Sequence, residues 1–212
     1  IGGLGIQKLH KWALKFGFNK LTGIDIAGEV KGYIPDGTGR EWYQGDDFIS
    51  AIGQGDIQVT PLQINNMMTY FANGGYLYEP RIIRNIDGEA TNNPDIIARD
   101  LLEEEFYDAI RKGIHAAVVS GGTGYPLFDF YNRHGVMLAG KTGTAEFISS
   151  EGEEKTHAVF TVFGPYIDDE YQQEYGVNES DKPIVLTVFL EGGGGGSGDG
   201  GPGRHPGGTG HA

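Results

Sequence analysis

The placing of glycine constrains this chain most. Thirty-seven of its 212 residues are glycine, well above the ordinary share of about 7%. Twelve follow Glu191, in GGGGGSGDGGPGRHPGGTGHA, and the body still holds 25. Body glycines stand where regular elements must stop, as at Gly17, at Gly74-Gly75 and at Gly121, Gly122 and Gly124. The elements between them are short. No apolar run approaches the roughly 18 residues that a membrane-spanning helix needs, and no period of about 20–50 residues marks a repeat protein. The chain opens on Ile1, without methionine or a signal peptide. The expectation is that it is an internal or C-terminal piece of a longer protein.

Apolar spacing gives the order of elements. Ile6, Leu9, Ala13 and Phe16 predict a helix over 6–18 that ends near Gly17 and Asn19. Residues 22–47, with Pro35 and the pair Trp42-Tyr43, read as a loop. Thr60-Pro61-Leu62-Gln63 reads as a capping box with proline at the first helical position. Its helix runs through Asn65, Met68 and Phe71 to Asn73-Gly74-Gly75. Residues 77–86 read as extended. A long helix is expected over 96–119, with Leu102, Phe106, Ile110, Ile114 and Ala117 as its buried stripe. Three strands are expected at 136–145, 156–164 and 183–190, the last two joined by an acidic hairpin tip over 165–182. Helices first and an antiparallel sheet last make an α+β layer architecture.

A content of 38% hydrophobic residues suffices for a core. The net charge of −13 argues against a phosphate-backbone binder, so no nucleic-acid partner is expected. The absence of cysteine excludes disulfides, thiol catalysis and cysteine-ligated zinc. Of the histidines, His10, His115, His134, His157, His205 and His211, no pair has the spacing of a zinc site, so no metal is expected. The acids of 165–182 lack the calcium-loop pattern. No cofactor is implied.

The segment Gly135–Glu146, GVMLAGKTGTAE, fits two motifs. Gly135, Gly140, Lys141 and Thr142 satisfy the P-loop pattern. A P-loop needs an apolar strand before its first glycine and a helix after its lysine. Here the polar residues 129–134, which read as a turn, precede, Val136–Ala139 reads as a buried strand, and Gly143-Thr144 follows. The context rejects a phosphate nest. The other match is the K-T-G of serine penicilloyl-transfer enzymes, Lys141-Thr142-Gly143. A strand at a cleft rim can pair with an extended peptide. Glycine keeps its surface open, the lysine brings positive charge, and the threonine hydroxyls can hold a carboxylate.

Neighbouring blocks make this specific. Thr22–Glu29 (TGIDIAGE), Ile34-Pro35-Asp36, Trp42, Gly45-Asp46, Ala51–Gly55 (AIGQG), Val59–Gln63 (VTPLQ) and Ala72–Gly75 (ANGG) resemble the class B penicillin-binding proteins, the penicillin-binding protein 2 type above all. Gly122-Thr123-Gly124 resembles the family's loop ahead of the K-T-G strand, Lys141–Glu146 (KTGTAE) the strand itself, and His157–Phe160 its partner strand. The resemblance covers roughly residues 5–191. It implies the β-lactamase/transpeptidase-like fold, an antiparallel sheet flanked by helices and incomplete in this chain, with residues 1–191 as the C-terminal portion of the domain. The implied reaction is acyl transfer through a serine, cross-linking peptidoglycan stem peptides and trapped by β-lactams. Lys141, Thr142, Gly143 and Thr144 are the implied catalytic-strand residues. Lys141, Thr142, Thr144 and Ala145 are the implied substrate contacts, with the Thr144 amide as half of an oxyanion hole. The implied partners are membrane proteins of the cell-wall elongation machinery. The implied location is the extracytoplasmic face of the plasma membrane, with no anchor in these residues.

Two departures from the family stand out. No serine here has lysine three residues on, and the family's S-x-N is absent too. Both lie upstream in the family, so the chain by itself is expected neither to acylate nor to cross-link. A catalytically dead scaffold module is the alternative. The family's C-terminal helix is also missing, replaced by the glycine-rich tail 192–212. Reading one base later across Gly200–Gly210 yields triplets compatible with A-A-P-V-A-I-L-E-A-L-A. The tail is thus expected to be an out-of-frame reading of that helix, or else a natural disordered tail.

Overall fold

The computed structural model describes residues 3–91, 94–168 and 182–193. The expectations for most of the acidic tip and for the tail beyond Gly193 lie outside the described residues.

Helix α1 (Ile6–Lys15) carries a lysine in its last turn, which suits the negative end of the helix dipole. It ends as expected, with Gly17 and Asn19 in the left-handed region at φ 84° and 59°. The loop expected through residue 47 instead contains α2 (Gln44–Ala51). Apolar periodicity is weak there, and capping makes the helix: the Asp46 carboxylate accepts from the Tyr43 N–H at 2.8 Å, and Asp46 and Asp47 lie in the first turn. Helix α3 (Pro61–Ala72) starts on the expected capping box. The Thr60 hydroxyl accepts from Gln63 N at 3.1 Å, and Gln63 Oε1 accepts from Thr60 N at 3.0 Å.

After α3 come β1 (Tyr76–Tyr78), the small hairpin β2 (Asn85–Ile86) and β3 (Glu89–Ala90), and β4 (Ile96–Arg99). Strand β4 corrects the long helix expected from residue 96. Ile96-Ile97 is β-branched and pairs antiparallel with β1, Leu77 opposite Ala98. Asp100 then turns left-handed at φ 51°, and the buried Tyr70 hydroxyl accepts from Leu101 N and Leu102 N. Only at Glu104 does α4 (Glu104–Ala116) begin. Its expected stripe holds in part: Leu102, just ahead of the helix, and Ile114 pack against the core, whereas Phe106 and Ile110 are 55% and 39% exposed. The packed side is Tyr107, Arg111, Ile114 and His115. Tyr107 stacks on Phe71. Arg111 donates to the Ile167 carbonyl. His115 donates to the Leu138 carbonyl and stacks on Tyr166. Residues 129–134, expected as a turn, hold a short helix, α5 (Phe130–His134), whose Asn132 and Arg133 both donate to Asp129.

The last third is the expected antiparallel sheet, in the order β5 (Ala139–Ile148), β6 (Glu154–Gly164), β7 (Ile184–Leu190). Strand β5 starts three residues later than the sequence suggests and ends three later. Lys141 stands opposite Thr161, and Thr161 opposite Thr187. Helix α3 lies across β6 and β7; its Asn65 donates to the Thr187 hydroxyl at 3.1 Å. Tyr70, Leu77, Ala139, Phe163 and Tyr166, each at most 1% exposed, form the centre of the core. Side chains alternate across a strand, so the face of β7 opposite α3 presents Ile184, Leu186, Val188 and Leu190, at 77%, 56%, 43% and 55% exposure. Among the described residues the sheet is covered on one face of β7 and open on the other, an α+β domain that is incomplete within these residues.

Candidate functional site

Among the described residues strand β5 pairs with β6 on one side only, so its other edge is a row of outward backbone groups. These belong to Thr142, Thr144 and Glu146, alternating with residues that pair to β6. The Lys141-Thr142-Gly143-Thr144 segment sits in the middle of β5.

Thr142 is 8% exposed, and its hydroxyl lies 2.8 Å from that of Thr123. The structure thus joins the K-T-G strand to the Gly122-Thr123-Gly124 loop. That loop is folded tightly onto the end of α4: Gly124 N donates to Ala117 O at 2.7 Å. A Cβ on Gly122 would stand 2.3 Å from the same oxygen, so only glycine lets the chain turn back here. Lys141 is exposed at the rim, and its ammonium donates to the Thr142 carbonyl at 2.6 Å. Gly143 lies against β6, where a Cβ would meet Val159 Cγ1 at 2.6 Å. Thr144 and Ala145 are exposed. Two hydroxyls and an ammonium therefore gather along one strand, a donor set suited to a carboxylate.

One further residue belongs to this edge. Gln54 Nε2 donates to the Thr144 carbonyl at 2.9 Å, and Gln54 Oε1 accepts from Glu146 N at 3.1 Å. In the sequence Gln54 stands out only as part of the block Ala51–Gly55. A polar residue between two glycines, Gly53 and Gly55, was the available signal, and both adopt left-handed φ, 78° and 76°. The loop hangs from α2, Gln54 N donating to Ile49 O. Helix α2 is in turn tied down by Arg40, which donates to Asp46 and Asp56 and lies 4.8 Å over the Trp42 ring. Those bonds from Arg40, then the Tyr43 N–H, hold the Asp46 carboxyl below its ordinary range.

No cluster of metal-ligating side chains occurs among the described residues. Ser50 is buried in α2 at 3% exposure, and the residue three further on is Gly53, so it offers no serine–lysine pair.

An edge strand bearing K-T-G, backed by a glycine-threonine loop and packed on α4, in a sheet whose other two strands α3 covers, is the arrangement of a penicillin-binding transpeptidase type of domain. The chain belongs to the penicillin-binding protein transpeptidase domain family, whose model matches residues 3–179. It is 31% identical to the peptidoglycan D,D-transpeptidase MrdA of Haemophilus influenzae, over 94% of this chain and 32% of that protein. Among solved structures it resembles penicillin-binding protein 2 of Pseudomonas aeruginosa, with 29% identity and a TM-score of 0.69 over 92% of this chain and 40% of that one. It also resembles penicillin-binding protein 2 of Helicobacter pylori in its complex with MreC, with 31% identity and a TM-score of 0.66 over 91% and 33%. The chain spans about a third of the length of the curated relatives it matches.

Proposed function

We propose that this chain supplies the carboxylate-binding wall of a peptidoglycan D,D-transpeptidase. The observation that carries the reading is the placing of Lys141, Thr142 and Thr144 on one edge strand, with Thr142 hydroxyl-bonded to Thr123. In the reaction a serine hydroxyl, contributed by residues that this chain does not contain, attacks a stem-peptide carbonyl. It loses its proton to a base, expels the terminal residue as an amine, and leaves an acyl-serine that a second stem peptide's amine resolves. Lys141 and the hydroxyls of Thr142 and Thr144 hold the carboxylate of the leaving residue. The Thr144 N–H serves as one donor to the developing oxyanion. A β-lactam presents the same carboxylate and acylates the same serine.

The chain alone then binds without reacting. Its partners are stem peptides, β-lactams and membrane proteins of the cell-wall elongation machinery, at the outer face of the plasma membrane. The solved complex of the Helicobacter pylori relative with MreC supports the choice of partner.

The test uses the 212-residue chain. Diacetyl-Lys-D-Ala-D-Ala added during NMR should shift resonances of 141–144, and Lys141→Ala should weaken that binding about tenfold or more, as for a charge-assisted contact. A fluorescent penicillin should leave no covalent adduct by mass spectrometry. An adduct would contradict the inactivity of the chain, and binding indifferent to Lys141 would contradict the carboxylate site.

A further inference from the structure

Strand edges are promiscuous. Each outward N–H and C=O is an equal invitation to a neighbouring strand, so an extended peptide laid along β5 has several registers open to it. Register shifts by two residues keep side chains on the same face, and a catalytic cleft must exclude them. Something has to end the pairing at a fixed place.

The Gln54 carboxamide occupies that place. It takes the Thr144 carbonyl with its N–H and the Glu146 N–H with its oxygen. Those are the two outward groups flanking Ala145, the pair that an added strand would engage at that point. A carboxamide has the same donor and acceptor chemistry as a peptide group, so Gln54 stands in for one residue of an added strand. It is not a loose side chain. Its backbone N–H is bonded to Ile49 O at the end of α2, and left-handed glycines flank it. A Cβ on Gly55 would come within 3.0 Å of Ile49 Cγ2, so the loop is folded closely against that helix.

We propose that Gln54 is a positioning residue that ends substrate pairing on β5 at Thr144 and so fixes the register of an extended peptide over Lys141–Thr144. The inference rests on the reading of β5 as the substrate-pairing edge. It adds that the residues beyond Thr144 belong to the protein's own loop and are closed to substrate. Because the closure is made by one side chain, register is set by α2 and the Arg40 cluster that anchors it, 16 residues from Asp56 and 6 from Asp46 in sequence, and not by the strand itself.

The test compares the 212-residue chain with Gln54→Ala and Gln54→Glu. In the parent, amide exchange at Glu146 should be slow. In Gln54→Ala it should quicken about tenfold, the loss of one hydrogen bond, while Phe147, which pairs with β6, stays unchanged. Gln54→Glu keeps an acceptor for Glu146 N–H but has no donor for the Thr144 carbonyl, and should retain the Glu146 protection. Titration with diacetyl-Lys-D-Ala-D-Ala then reads the register. Shifts should stop at Thr144 in the parent and reach Glu146–Ile148 in Gln54→Ala. A merely structural role would leave that boundary unmoved. Parent shifts that already run past Glu146, or a boundary unchanged by Gln54→Ala, overturn the inference while leaving the carboxylate site standing. Peptide shifts absent from β5 in all three proteins overturn the substrate reading and the register role with it.

Discussion

Replacing Gln63 by leucine should cost about 3 kcal/mol, and the structure sets the figure. Gln63 is 2% exposed. Its Nε2 donates to the carbonyls of Lys20 at 2.9 Å and Lys31 at 3.0 Å, and its Oε1 accepts from Thr60 N at 3.0 Å. One side chain thus pins two strands of the long loop to the start of α3 and closes half of the capping box. Leucine fills a similar volume, so the cavity term is small. Three neutral hydrogen bonds at about 1 kcal/mol each give the total, and the Thr60 hydroxyl bond to Gln63 N survives because its donor is backbone. With a urea m-value of roughly 2 kcal/mol/M, the midpoint should fall by more than ~1 M. Fluorescence of Trp12 and Trp42 reports the transition. Gln63→Glu sharpens the reasoning. A carboxylate there keeps the Thr60 N–H but turns its other oxygen on two carbonyls to which it cannot donate, so its protonated form is favoured and its folded pKa rises. Stability should therefore drop as pH climbs from 4 to 7, the protonated acid being able to donate to one carbonyl. Should Gln63→Leu not fold, Thr60→Ala removes the other half of the box for about 1 kcal/mol. The reasoning is refuted by a midpoint shift under ~0.2 M for Gln63→Leu together with a Gln63→Glu protein as stable at pH 7 as at pH 4.

Other outcomes follow from single contacts. Gly140→Ala should destabilise by about 1–3 kcal/mol in denaturant melts, because its Cβ would lie 2.8 Å from the Thr161 carbonyl and 3.1 Å from Val162 Cβ; a neutral effect would mean β5 and β6 can spread. Leu77→Ala, at 0% exposure in the core, should cost about 3 kcal/mol, and calorimetry showing an unchanged transition would place Leu77 outside the core. Asp25 accepts from Ile82 N and Ile83 N at 2.8 and 2.9 Å, and those bonds hold its carboxyl below its ordinary 3.8. Its contribution is present above 3.8 and lost as pH falls through the lower folded value; a carboxyl carbon titrating by NMR at or above 3.8 would disprove this.

What could be read from the sequence was what local chemistry decides. The box at Thr60–Gln63, the glycine stop after Asn73 and the three strands carry their own signals, and so does the K-T-G strand. Apart from α2, what the sequence does not show depends on partners distant in sequence. Ile96–Arg99 could continue a helix, and only pairing with Tyr76–Tyr78 makes it a strand. Helix α2 has little apolar pattern and depends on Arg40 and the Tyr43–Asp46 cap. The stripe of α4 is legible only at Leu102 and Ile114, because the rest of its packed side is the polar-tipped Tyr107, Arg111 and His115, whose rings and stems bury while their heads bond carbonyls. Gln54 meets Thr144 across 90 residues, a distance over which spacing carries no information.

The seating of α3 on the sheet also sets the timing of folding. Asn65 and Thr187, bonded across that contact, are 122 residues apart. A helix that closes its first turn in well under a millisecond must wait, during synthesis at about 5–20 residues per second, for several seconds before β7 exists. Through that interval Met68 and Phe71, core residues of the finished fold, have neither β6 nor β7 to cover them. The slow step for this chain is therefore long-range closure, and its exposure to chaperones or to aggregation is written into the distance between its capping box and its last strand.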